Sequence, residues 1–177
     1  MPGLRRFSQA ISEGDGISLI VDVHAVDQAR TAQTRGAEAI ALHQVLAGLG
    51  DATELPSLWC GSDSPEEALE AGADAFLLVG LGDEDMHALH GRALELGLDC
   101  VVEVRDEEQL EAVLEELDPE ILLLTGDEPE SALSLLPDVP AGKLAIADAR
   151  GATTDEIAEL ERAGVDAVLV GDAPPQI

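Results

Sequence analysis

Eight short apolar runs punctuate the chain: ISLIVDVH (17–24), AEAIALH (37–43), PSLWC (56–60), ADAFLLVG (73–80), LDCVVEVR (98–105), EILLLTG (120–126), KLAIADA (143–149) and DAVLVGD (166–172). Their centres lack polar alternation, as strands covered on both faces do. Between the runs, apolar residues recur every three or four positions, the period of one helix face, in AVDQARTAQTRG, SPEEALEAG, DEDMHALHGRALELG, DEEQLEAVLEEL and TTDEIAELERAG. VLAGLGDATEL and EPESALSLLPD are poorer, broken by Gly or Pro. Capping chemistry marks several starts: Ser64 precedes Pro65 and two acids, and TTDE repeats the arrangement.

Three joints repeat one phrase: RGAEAIALH (35–43), AGADAFLLV (71–79) and AGVDAVLVG (163–171). A Gly closes the helix because it takes the left-handed conformation without a Cβ clash, an acid follows, and a buried strand begins. That is the back half of a βαβ unit. Eight strands with seven helices between them predict an α/β fold, the parallel eight-stranded (βα)8 or TIM barrel. A doubly wound sheet is the rival, but no Gly-rich phosphate fingerprint follows the first strand.

The chain is short for such a barrel, which usually takes about 250 residues. The expectation is therefore a compact barrel in one domain over 1–177, with the eighth helix missing or rudimentary. Pro174 and Pro175 remove two backbone donors where that helix would continue. Residues 1–16 read as a covering segment. The spacing of Leu4, Phe7 and Ile11, with Ala10 beside them, fits one helical face. We expect this face to dock on the flank of the eighth and first strands as a stand-in helix, with homodimerisation as the alternative cover.

Composition narrows the function classes. Thirty-seven acids against nine bases give a net charge of −28, which repels nucleic acid and anionic membranes. No run of 18 apolar residues spans a membrane, and the start has no apolar signal region, so a cytoplasmic location is expected. Cys60 and Cys100 share no short motif and read as reduced thiols. Lys143 is the single lysine, and lysine depletion with acid enrichment reads as adaptation to high salt. Stability should then depend on salt. At about 0.1 M the Debye length is roughly 10 Å, which leaves neighbouring acids repelling one another. A melting temperature that rises steeply from low salt to molar KCl is the expected result, and a flat response would refute it.

A barrel of this kind carries its active site at the C-terminal ends of its strands. The polar residues there are Asp22 and His24, His43, Cys60, Glu103 and Arg105, Thr125, Asp148 and Arg150, and Gly171 with Asp172. Period-two alternation places Asp22 with His24, and Glu103 with Arg105, on one strand face each. Charged residues inside apolar strands are costly unless they converge on a polar mouth. His43 and Thr125 read better as strand-end residues in solvent.

ALELGLDCVVEVRDEEQLEAVLEELDPEILLL followed by TTDEIAELERAGVDAVLVGDA resembles the C-terminal half of indole-3-glycerol-phosphate synthase, with VVEVRDEEQLE its most specific part. The resemblance covers 64–173 well and 7–44 more weakly. It implies a TIM-barrel lyase of tryptophan biosynthesis. That family converts a carboxyphenylamino deoxyribulose phosphate into indole glycerol phosphate, carbon dioxide and water. By resemblance Glu103 stands at the fifth-strand catalytic glutamate, Asp148 at the seventh-strand glutamate, and Asp22 at the glutamate of the first-strand Glu-x-Lys pair. His24 replaces that pair's lysine and Cys60 the third-strand lysine, the expected general acid. TGDE stands where the family has paired asparagines, and Ala149 where it has a serine.

The resemblance also implies a phosphate site. Arg150 or Gly151 stands at its first glycine, and Gly171, followed by Asp172, begins the eighth-strand phosphate loop. The expected ligand is a phosphorylated small molecule, with no metal and no cofactor, in a monomer or homodimer. Because both lysine positions are replaced, the expectation is a synthase-like barrel with impaired or lost activity. The alternative is a scaffold, phosphate-ligand-binding or interaction protein derived from that family.

Overall fold

The computed structural model describes residues 6–12, 16–61, 64–79, 84–127 and 130–171. Helix α1 (Arg6–Ser12) precedes strand β1 (Ser18–Val23), and the chain then alternates: α2 (Val26–Thr34), β2 (Ala39–Leu42), α3 (Leu49–Ala52), β3 (Ser57–Trp59), α4 (Pro65–Glu70) and β4 (Ala75–Leu78). It continues through α5 (Glu84–Glu95), β5 (Asp99–Val104), α6 (Glu107–Glu116), β6 (Ile121–Leu124), α7 (Ser131–Leu135), β7 (Leu144–Asp148), α8 (Thr154–Ala163) and β8 (Ala167–Val170). The strands pair in parallel in chain order, and β8 returns to β1 with Ser18 beside Ala167, closing the barrel.

The helices begin and end where their caps dictate. Ser64 accepts from the Glu67 N–H with Pro65 in the first turn, Asp106 accepts from the Gln109 N–H, and Thr153 exchanges two bonds with Glu156. Gly164, at φ 107°, ends α8. The two stretches broken by Gly or Pro hold the shortest crossover helices, four residues in α3 and five in α7.

The acid in each repeated joint has a structural task. Glu38, Asp74 and Asp166 each donate a backbone N–H to the carbonyl of a residue at the start of the preceding strand: Leu19, Ser57 and Ala145. Each then accepts, through its carboxylate, the N–H of that same residue, at 2.8, 3.0 and 2.8 Å. This two-bond lock sets the register of β2 on β1, β4 on β3 and β8 on β7 while satisfying a donor within the first two residues of a strand. Asp166→Ala should cost about 1.5–3 kcal/mol, the range for a bond to a charged group, and Asp166→Asn less. Thermal unfolding in molar KCl measures the difference; equal midpoints for the alanine variant and the unaltered chain would refute the lock.

Inside the barrel, Ile20, Ala39, Ala41, Leu58, Ala75, Leu77, Val101, Ile121, Leu123, Ile146, Ala167 and Leu169 form one buried cluster. The outward residues pack with the helices in a second. Helix α1 belongs to the inner cluster. Phe7 and Ile11 are fully buried in it, the Ser8 N–H donates to Asp99 at the start of β5, and the Ile11 carbonyl accepts from the Ser18 hydroxyl at the start of β1. The segment therefore plugs the N-terminal mouth of the barrel instead of covering the flank of β8 and β1. The alanines at 39, 75 and 167 leave room at the base that a flank-bound helix would not fill, and an aromatic ring fills it. Ala10 is partly buried, and Leu4 lies outside the described residues. The expectation of a reduced eighth helix concerns 172–177, also outside them.

Candidate functional site at the barrel mouth

The alternation that turns Ile20, Ala41, Leu58, Val101, Leu123 and Ile146 inward also turns Asp22, His43, Cys60, Glu103, Thr125 and Asp148 inward one layer higher, at the C-terminal mouth. A polar ring thus stands on an apolar floor. Asp22 and Thr125 are buried, and the Glu103 and Asp148 side chains are 11% and 14% exposed.

Arg150 ties the ring together. Its Nε and Nη2 donate to the two oxygens of Asp148 at 2.9 and 2.8 Å, a two-pronged pair, and its Nη1 lies 3.6 Å from Asp22 Oδ2. The Thr125 hydroxyl adds a 2.9 Å bond to Asp148. Ala152 N–H donates to Ala149 O, so Arg150 and Gly151 are the middle of a tight turn, and Gly151 takes φ 84° there. A side chain is disfavoured at that position, which accounts for the glycine and aims Arg150 across the mouth. Gly171 is half-buried with open space beside its Cα, and Asp172 lies outside the described residues.

On the opposite side His43 Nε2 lies 2.9 Å from Asp22 Oδ1. A carboxylate oxygen accepts, so Nε2 is the protonated ring nitrogen in this pair. The exposed His24 ring stacks on His43 with centroids 5.0 Å apart and planes 15° from parallel. Gln28 accepts the N–H groups of His24 and Ala25, and Gln44 donates to the His24 carbonyl, which fixes the backbone carrying that ring. Gly61 clears space for β2: a Cβ there would sit 2.6 Å from the His43 carbonyl oxygen.

Burial pushes the Cys60 thiol up to about 12, with Asp22 adding to it, so Cys60 is a neutral thiol and no cation. Burial also raises the Glu103 carboxyl above its ordinary value, against the pull of Arg105, whose Nε is 4.0 Å away. Burial works the same way on Asp148, but the bonds from Arg150 and Thr125 outweigh it and hold that carboxyl below its ordinary value. The signs separate two variants. Ionised Glu103 works against the fold, increasingly as pH rises through its raised value, so Glu103→Gln should keep or raise the melting temperature near pH 8. Asp148 stabilises above the ordinary aspartate range and loses this as pH falls, so Asp148→Asn should lower the melting temperature at about pH 7 and change it little near pH 3. Melting curves of both variants across pH measure this, and the same response in both would refute the assignment.

The barrel is widely shared. The tryptophan synthase alpha-subunit of Pyrococcus furiosus superposes with a TM-score of 0.68 at 16% identity, over 88% of this chain and 87% of that one. An N-acetylmannosamine-6-phosphate 2-epimerase from Clostridium perfringens reaches 0.70 at 16% identity, over 90% and 88%. At such identities the likeness is one of fold. The sequence is more selective: the family model of indole-3-glycerol phosphate synthase matches residues 65–174. The chain belongs to the indole-3-glycerol phosphate synthase family. The synthase of Geobacillus sp. (strain WCH70) is 30% identical over 175 residues, covering 86% of this chain and 68% of that protein. The synthase of Acidithiobacillus ferrooxidans (strain ATCC 53993 / BNL-5-31) is 36% identical over 115 residues, covering 60% of this chain and 44% of its own length.

Within that family frame, the structure brings together Asp22, His24, Glu103, Asp148 and Arg150, all singled out from sequence. It adds His43 and Thr125, which sequence reasoning placed in solvent. The signal for both was the alternation itself, since each stands two residues beyond an inward position, Ala41 and Leu123. Among the described residues, no helix is long and apolar enough to cross a membrane.

Proposed function

We propose that this chain is a member of the synthase family whose barrel persists while its mouth has lost the acid that drives the family reaction. The observation that supports this is the position of its single lysine. Lys143 stands just before β7, at the N-terminal end of the barrel, where Nζ donates to Asp118 at 2.6 Å and to the Pro119 carbonyl at 2.7 Å. No lysine faces the mouth. The arginines there are engaged with acids, Arg150 with Asp148 and Asp22 and Arg105 near Glu103, and a guanidinium does not surrender a proton. Ring closure and dehydration need a positively charged acid beside a developing oxyanion.

Glu103, with its raised carboxyl, is the general base of this reading, and His24, stacked on His43, is its proton donor. Asp148 positions Arg150, and the turn at Arg150–Gly151 together with Gly171, just past β8, is where a ligand's phosphate would sit. A phosphorylated small molecule is then the ligand class, bound without efficient turnover. The test is steady-state formation of indole glycerol phosphate from the carboxyphenylamino deoxyribulose phosphate in molar KCl. The reading expects turnover at least about two orders of magnitude below an ordinary enzyme's ~10 per second, and a rate in that ordinary range overturns it.

A further inference from the structure

We infer that the mouth is a binding site for a divalent first-row transition cation, of the Zn2+ class, held by Asp22, His24 and His43. The inference concerns the same mouth as the proposed function. Among the described residues these three bring one ligand atom each to within 4.8 Å of one another. Two metal–ligand bonds of about 2.1 Å at the tetrahedral angle end about 3.4 Å apart. The 2.9 Å between His43 Nε2 and Asp22 Oδ1 lies about 0.5 Å inside that edge, a gap that a small rotation of the His43 ring opens. A cation would take the place of the proton the pair now shares, and that proton leaves to Nδ1 or to solvent. His24 closes the remaining span by side-chain rotation alone, because Gln28 and Gln44 hold its backbone.

The surroundings suit such an ion. Asp22 uses separate oxygens for His43 and Arg150, so Oδ2 stays on the guanidinium while Oδ1 serves the metal, and the carboxylate is oriented from behind. His24 is exposed, which leaves the remaining coordination positions facing solvent. Two imidazoles and one carboxylate select borderline cations over Mg2+ or Ca2+, which demand oxygen. That selectivity separates the site from the acidic surface at large, which attracts any divalent ion and is screened by salt.

The test is isothermal titration of the full chain with Zn2+ in molar KCl containing 10-fold excess Mg2+, repeated with Co2+ while recording its visible spectrum. One equivalent should bind, with Co2+ bands showing nitrogen ligation. His24→Ala and Asp22→Asn should each weaken binding by at least about tenfold. His87→Ala, on the exposed face of α5, should leave it unchanged. Binding that Mg2+ abolishes, or that His24→Ala leaves intact while His87→Ala removes it, overturns the inference. The titration reports cation binding whether or not the chain turns over substrate, so this inference and the proposed function fail independently.

Discussion

Replacing Phe7 with alanine is expected to lower the thermal unfolding midpoint by roughly 6–20 °C in molar KCl. Phe7 is fully buried among the inward residues at the base of the barrel, and Ile11 is 2% exposed beside it. Removing a buried aromatic costs about 3–5 kcal/mol, since the lost transfer energy adds to the cavity left behind. In a domain of this size each kcal/mol moves the midpoint by about 2–4 °C. The base can collapse little, because its walls are strands in a closed ladder. Phe7→Leu keeps most of the volume and should cost well under half as much. Calorimetry of the two variants checks this, and a shift under 2 °C for the alanine variant would mean that α1 rests on the barrel without plugging it.

That helix shows where sequence reasoning stops. The spacing of Phe7 and Ile11 identifies an apolar face, but a barrel flank and a barrel base both accept Phe and Ile. The deciding information was non-local: small residues at 39, 75 and 167 converge on one space only when the sheet closes. The strands themselves were legible because a strand buried on both faces must be apolar throughout, and their ends because Gly36, Gly72 and Gly164 take positive φ where the helices stop. Asp22, Glu103 and Asp148 were legible as charges inside apolar runs. His43 and Thr125 were not, since a neutral polar residue at a strand end looks the same facing solvent or a mouth. Arg150 was recognised, but its two-pronged grip on Asp148 depends on the turn at Gly151, which no local pattern displays.

Restoring lysine at both family positions, Cys60→Lys with His24→Lys, is expected to raise synthase turnover by about two orders of magnitude or more. A positioned acid contributes about 10²–10⁴-fold. Cys60 stands in the inward ring, where burial keeps its thiol neutral and Asp22 and Glu103 repel negative charge, so an ammonium there enters a field that favours it. Lysine is the right replacement and arginine is not, because the acid must release its proton within the reaction. The gain should be confined to kcat, with substrate binding changed far less, as for a group that acts only in the transition state.

The most direct test of the central claim is a single-turnover experiment with the protein in excess over the family's substrate, which isolates chemistry from binding and release. The unaltered chain should convert substrate at least about a hundredfold more slowly than the double-lysine variant. Equal and rapid conversion by the two proteins would contradict the claim, because it would show that Glu103, His24, His43 and Arg150 carry out the reaction without any lysine at the mouth.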